Sequence, residues 1–330
     1  MGERLIARNE LAGTILHHVS PETRGWVLKR GIEKILLATP YEYPAGFWGI
    51  IREYASNGGM VIVQNHTSNA DILAGDLLAN RITQRANSVV PEEKKRKGFI
   101  EPFALSLPEG GQGEMSMFYN DVQPLIKRLR VEPVPTPTLN DILKGRITDQ
   151  QFLEYHREST RRMREAAIEE RKGIVLPAEA TVQGGRVNPD TGEIFGMQIF
   201  IPGAIRQALR TVTIENDYGI LIPVGVSGGY KVLDSQTNRI TTPATLVGLG
   251  WSKEAIMTVH VGEPIVYKKS DIRGLRSDSL DFQIGTTIAQ MLEPHERGAY
   301  SSPEAFTIAL EQFKIKQAKE KAALAALRAD

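Results

Sequence analysis

The stretch Gly58-Gly59-Met60-Val61-Ile62-Val63 constrains the fold of this chain more than any other. A short β-branched apolar run entered through a glycine pair reads as an interior strand of a largely parallel sheet, because a strand buried on both faces dispenses with polar alternation. The residues that follow, Ala70 to Ala79, carry apolar side chains at helical spacing, with Ser68 placed to cap the first turn. Between strand and helix lies Gln64-Asn65-His66-Thr67-Ser68-Asn69-Ala70-Asp71. On a continuous helix the step from His66 to Asp71 would set the two side chains about 140° apart. They can meet only if the chain turns between them, and a strand-to-helix loop supplies that turn. Asp71 could then accept a hydrogen bond from one imidazole nitrogen, fixing the tautomer, at the rim of an open cleft. The other nitrogen would be free to take a proton from a substrate. The same residues also fit a plain helix cap, Ser68-x-x-Asp71, with His66 as an ordinary loop residue.

The alternation of strand and helix recurs. Strands are expected at 174–177, 219–224 and 256–262, and helices at 149–172 and near 202–211. That order predicts an α/β fold: a layered, mixed but largely parallel sheet flanked by helices. A helical N-terminal cap is expected over 1–55, the α/β domain over 56–270 and C-terminal helices over 271–330. In the N-terminal segment Trp26, Val27, Ile32, Ile35, Leu36 and Leu37 are interleaved with Lys29, Arg30 and Lys34. Such a stripe packs on a core or, in a second reading, lies on an anionic membrane surface. Leu129 to Pro137 reads as a proline-broken extended run. The tail from Ser301 keeps Phe306, Leu310 and Phe313 on one helical face, and its last turns read as frayed and solvated.

Composition removes several classes of function. A net charge of +1 provides no long-range field for nucleic acid. The absence of cysteine excludes disulfides, thiolate metal sites and a cysteine-bound acyl intermediate. No second histidine or carboxylate sits at ligand spacing near His66, so no metal is expected. Neither a signal-peptide pattern nor an apolar run of the ~20 residues needed to span a bilayer is present, which predicts a cytoplasmic protein. Glu92-Glu93-Lys94-Lys95-Arg96-Lys97 reads as a solvated loop or as a docking patch for an acidic partner. A serine hydrolase built on His66 and Asp71 would need a nucleophile on a sharp elbow, and Val226-Ser227-Gly228-Gly229 lacks that spacing.

Four blocks together carry a resemblance. Asn65-His66 to Asp71 is similar to the N-H-x-x-x-x-D signature of the glycerolipid acyltransferases. Ile174-Val175-Leu176-Pro177-Ala178-Glu179-Ala180-Thr181 resembles that superfamily's apolar strand followed by F-P-E-G-T-R. Gly219 to Val226, with Ile222-Pro223-Val224, resembles its later strand with an apolar-proline step, and Val259 to Ile265 its closing G-E-P-I turn. Gly184-Gly185-Arg186-Val187-Asn188-Pro189-Asp190-Thr191-Gly192-Glu193 is similar to the G-G-R-D-R-P-D-P-x-T-G-E stretch of the soluble, plastid-type glycerol-3-phosphate acyltransferases. Composition alone would also allow a glycine-rich turn there.

The resemblance implies transfer of a fatty acyl group from acyl-CoA or acyl carrier protein to glycerol 3-phosphate or lysophosphatidate, without a cofactor or covalent intermediate. His66 would be the general base oriented by Asp71. Glu179, Thr181, Gly184, Gly185 and Arg186 would meet the acceptor, and Pro223 the acyl chain. Glu179 fits the holding of a loop, an arginine or a hydroxyl better than contact with a phosphate, since like charges repel. Peripheral contact with the inner membrane face would follow. A non-catalytic lipid or phosphate-binding protein is the alternative, because family arginines fall on Val182 and Asn188. The arginine of the family's second motif has no match between 120 and 140, where Arg128 and Arg130 lie nearby. The acceptor and chain length stay open.

Overall fold

The computed structural model describes residues 34–36, 38–66, 69–104, 129–137, 139–143, 145–179, 196–232, 241, 244, 247, 252 and 255–327. A single mixed sheet runs in the order β1-β7-β6-β2-β5-β3-β4, with β8 also paired to β6. Its strands are β1 (Tyr41–Glu42), β2 (Gly58–Gln64), β3 (Phe99–Ala104), β4 (Val131–Thr136), β5 (Gly173–Pro177), β6 (Tyr218–Ser227), β7 (Thr258–Val261) and β8 (Ile265–Lys268). Pairing is parallel except where β7 and β8 meet β6. The flanking helices are α1 (Phe47–Glu53), α2 (Asn69–Asn87), α3 (Leu139–Leu143), α4 (Asp149–Glu169), α5 (Ala204–Val212), α6 (Lys269–Ile272), α7 (Ser277–Gln290) and α8 (Pro303–Leu327). The expected α/β architecture is therefore the observed one.

Two apolar layers enclose the sheet. On one face Met60, Ile62, Val175, Ile220 and Ile222 pack under α2 through Leu73, Ala74, Leu78 and Ile82. On the other, Val61, Val63, Ile174, Leu176 and Leu221 pack under α5 and α7 through Ile205, Leu209, Ile284 and Ile288. Burying this much apolar surface is the main favourable term for such a domain. Ile35 and Leu36 belong to the first layer, so the described part of the N-terminal stripe packs on the core. Trp26 to Ile32 lie outside the described residues.

The structure corrects the sequence reading at several elements. Tyr41–Glu42, inside the segment expected to be helical, joins the sheet by pairing with β7. Glu101 and Pro102 hid β3, since both residue types are depleted in strands. The proline-broken run is β4, an outer strand paired to β3 alone. Its register explains how it tolerates Pro133 and Pro135. The Arg130 carbonyl accepts from Phe99 N–H at 3.0 Å, so even-numbered residues direct their backbone groups to β3. The prolines direct theirs outward, where no ladder bond is lost.

Pro223 is tolerated for a related reason. β8 pairs with β6 over Tyr218 to Leu221 and β7 over Val224 to Ser227. Pro223 sits at the handover, its carbonyl accepting from Gly262 N–H at 2.8 Å. Among the described residues, no helix is long and apolar enough to cross a membrane.

Candidate active site

The carboxyl ends of β2 and β5 meet at a switch in the sheet's topology. The chain leaves β2 toward the face covered by α2 and returns from β5 through the helix α5 on the other face. Neighbouring strands whose connections depart to opposite faces leave a crevice between them, where ligands of open α/β sheets bind. His66 follows β2 and Glu179 follows β5 at this point.

Three hydrogen-bonded ties fix the His66 loop. Asn65 turns its amide onto β6, donating from Nδ2 to Val226 O at 2.9 Å and accepting Val226 N–H at Oδ1 at 2.7 Å. A side chain thus continues the β2 to β6 ladder for one more step while the main chain turns away. Gln64 Nε2 donates to the carbonyl of Asp71 at 3.3 Å, tying the strand end to the first turn of α2. Gly75 makes room for this, since a Cβ there would lie 2.7 Å from Gln64 Cδ. Finally, His66 N–H donates to Glu179 Oε1 at 3.0 Å.

Glu179 is 4% exposed and its second oxygen accepts Gln198 N–H at 3.0 Å. Of the three partners open to it in sequence, it holds the loop. Burial pushes its carboxyl up to about 8; the two backbone donors oppose the rise, and the charge of Asp71 adds to it. Asp71 is fully buried in the first turn of α2, where a negative charge suits the helix N-terminus. The His66 backbone and the Asp71 and Glu179 carboxyls therefore belong to one neighbourhood. His66 is 6% exposed. The open rim expected around His66 is therefore not observed: the residue is buried in a loop held by these three ties.

A second clasp braces the segment carrying Gln198. Glu296 is buried, receives the Ser227 hydroxyl and Gly228 N–H (2.9 Å), and offers its own carbonyl to Met197 N–H at 2.9 Å. The Ser227 hydroxyl is committed to this contact. Pro223 is level with Val63, inside the sheet and buried. Thr181, Gly184, Gly185 and Arg186 lie outside the described residues, as do Ser68, Val182, Asn188 and Arg128. Sequence reasoning missed Asn65, Gln198 and Glu296 as supports. Asn65 carried a signal in its position between strand and histidine, while the other two carried none. Among the described residues no group of three or more histidine or acidic side chains could hold a metal ion.

The basic run 92–97 occupies the opposite end of the sheet. Arg96 is 2% exposed and gives its guanidinium to the carbonyls of Ala55, Gly58 and Arg171. Gly58 opens β2 and His66 follows its end, a separation of roughly 20 Å at the usual strand rise. Arg96 is thus a tie between loops, and a carrier docked on the remaining lysines would stand at the far edge from His66.

Glu179→Gln provides a test of the loop clasp. An amide keeps one accepting oxygen, so either His66 N–H or Gln198 N–H loses its acceptor, at an expected cost of about 1–3 kcal/mol. The raised carboxyl makes this cost pH-dependent. Unfolded Glu179 ionises near 4.5 and folded Glu179 near 8, so between these values the native state binds more protons and the wild type loses stability as pH rises. The variant lacks that slope, and the gap between the two urea midpoints is expected to narrow from pH 5 to pH 8. A constant gap would refute the assignment.

A scan against protein-family models and a search of curated proteins each return no match to this chain.

Proposed function

We propose that this chain is an O-acyltransferase that moves a fatty acyl group from acyl-CoA or acyl carrier protein to a hydroxyl of glycerol 3-phosphate or lysophosphatidate. The observation that carries the proposal is the convergence of His66, Asp71 and Glu179 at the switch point of the sheet. These are residues that the resemblance marks in two blocks separated by 113 positions.

A thioester is already activated, so the enzyme must position the acceptor, remove its proton and stabilise charge on the carbonyl oxygen. In this reading His66 takes the proton as the acceptor oxygen attacks the thioester carbon, and the carbon–sulfur bond breaks to release the thiol carrier. Asp71 orients the ring, and backbone amides at the start of α2 oppose the developing negative charge. Glu179 keeps the loop in register without touching the reacting atoms. The segment Thr181 to Arg186 is assigned to the acceptor's phosphate, with Arg186 as a planar fork of donors. The acyl chain is assigned to the side of Pro223. The reaction would take place at the cytoplasmic membrane face. Engagement of Ser227 by Glu296 counts against that serine as the nucleophile of a hydrolase.

Incubation of the purified chain with radiolabelled acyl-CoA or acyl carrier protein and a panel of acceptors tests the proposal. Labelled lysophosphatidate or phosphatidate is the expected product. Release of free fatty acid would favour the hydrolase, and binding without either product would favour a lipid-binding role.

A further inference from the structure

Two acidic side chains lie in the layer between α2 and the sheet. Asp76 follows Asp71 by a turn and a half on α2, and Glu101 stands on β3. The register fixes the face that Glu101 occupies. Ile100 pairs with Ile174, which pairs with Val61, so Glu101 shares a face with Val175 and Ile62, the face that α2 covers. β3 and β5 pair only at Phe99 and Ile100, and Glu101 is thus the first residue at which the two strands part.

Asp76 and Glu101 are both 0% exposed, and among the described residues none of their four carboxyl oxygens has a hydrogen-bond partner. Among the described residues, the groups around them do not supply a countercharge. From β1, Tyr41 reaches α2 and donates to Ala74 O at 3.0 Å, with the Arg81 guanidinium over its ring at 4.0 Å. On α2 itself, Arg85 is exposed and Asp71 is a further carboxyl. On the elements packed against α2, Arg52 and Glu53 of α1 and Lys231 beyond β6 are exposed. The sheet offers apolar side chains and Gln64. Two carboxylates in such a place would be uncompensated charges that also repel each other.

We propose that Asp76 and Glu101 form a proton-held latch: protonated, they let α2 lie on β3, and loss of their protons lifts α2 and with it Asp71 and the His66 loop. Burial raises both carboxyls well above the ordinary range, and the Asp76 charge adds to the rise at Glu101. The sign follows. Unfolded, both groups ionise as ordinary carboxylates, so the folded state loses stability as pH climbs above about 4 toward the folded values. The latch opens on the alkaline side. It stands whether or not the chain transfers acyl groups.

Thermal midpoints of the full chain and of Asp76→Asn and Glu101→Gln, from pH 5 to pH 9, test the proposal. The amides are neutral near-isosteres of the protonated acids. Each is expected to flatten the alkaline decline and to exceed the wild type at pH 9 by roughly 5 °C or more. Amide hydrogen exchange along α2 at pH 9 is expected to be faster in the wild type than in the double variant, with little difference at pH 5. Parallel midpoint curves would overturn the latch, as would failure of either amide variant to fold. A rise in the wild-type midpoint on adding millimolar magnesium or calcium, absent from the variants, would also overturn it, since a cation would then answer the four oxygens.

Discussion

Replacement of His66 by alanine is expected to lower acyl transfer by about 10²- to 10⁴-fold, the usual contribution of a positioned general base. The geometry makes this substitution unusually clean. Glu179 is held by the backbone N–H of residue 66, and alanine keeps that donor. Asn65 and Gln64 keep their bonds to Val226 and Asp71 as well. The far-ultraviolet circular dichroism should therefore match the wild type, and the loss should appear in kcat. A variant that turns over within a few-fold of the wild type would remove His66 from the chemistry. A variant that unfolds would show instead that the buried ring is a packing element.

Gly59→Ala should cost more stability than any other single methyl added to this sheet. A Cβ at Gly59 would stand 2.7 Å from both the carbonyl carbon and the Cβ of Val212, at the end of α5. The obstacle includes backbone, so no rotamer relieves it, and α5 must move off β2. Overpacking typically costs 1–3 kcal/mol, and a main-chain clash in the middle of the sheet should bring the loss to about 3 kcal/mol or above. Gly49→Ala is the matched control. It lies in α1 with nothing within 4 Å of its would-be Cβ, and loss of glycine's backbone freedom should stabilise the helix by about 0.5–1 kcal/mol. Urea midpoints moving in opposite directions are the expected outcome. Equal midpoints would show that the contact of α5 with β2 is loose.

Of the strands that sequence revealed, β2, β5 and β6 are buried on both faces, whereas β7 alternates buried and half-buried residues. These three are nearly unbroken apolar runs, and runs this short have few other uses. β3 was hidden because Glu101 contradicts the rule that acids stay outside, and its burial depends on neighbours supplied by distant sequence. β1 is two residues long, too short for any period to register. At the site, His66 and Glu179 were legible as motif residues, but the reason for their closeness was not. The bond that joins them spans 113 residues and the Asn65 contact spans 161, separations fixed only by the pairing of β2 with β5 and β6. Arg96 was misread for the opposite reason. Its sequence neighbours are solvated charges, whereas its partners are carbonyls from two distant segments, Ala55 and Gly58 at the entry to β2 and Arg171 before β5.

The prolines of β4 have an effect beyond the fold of one molecule. A sheet margin with unpaired backbone donors invites a second chain to add itself as a further strand. Here the outward-facing positions 133 and 135 have no N–H to give, and the opposite margin offers a strand of just two residues. Among the described residues, crowded copies of this protein therefore find little template at either margin for extending one another's sheets.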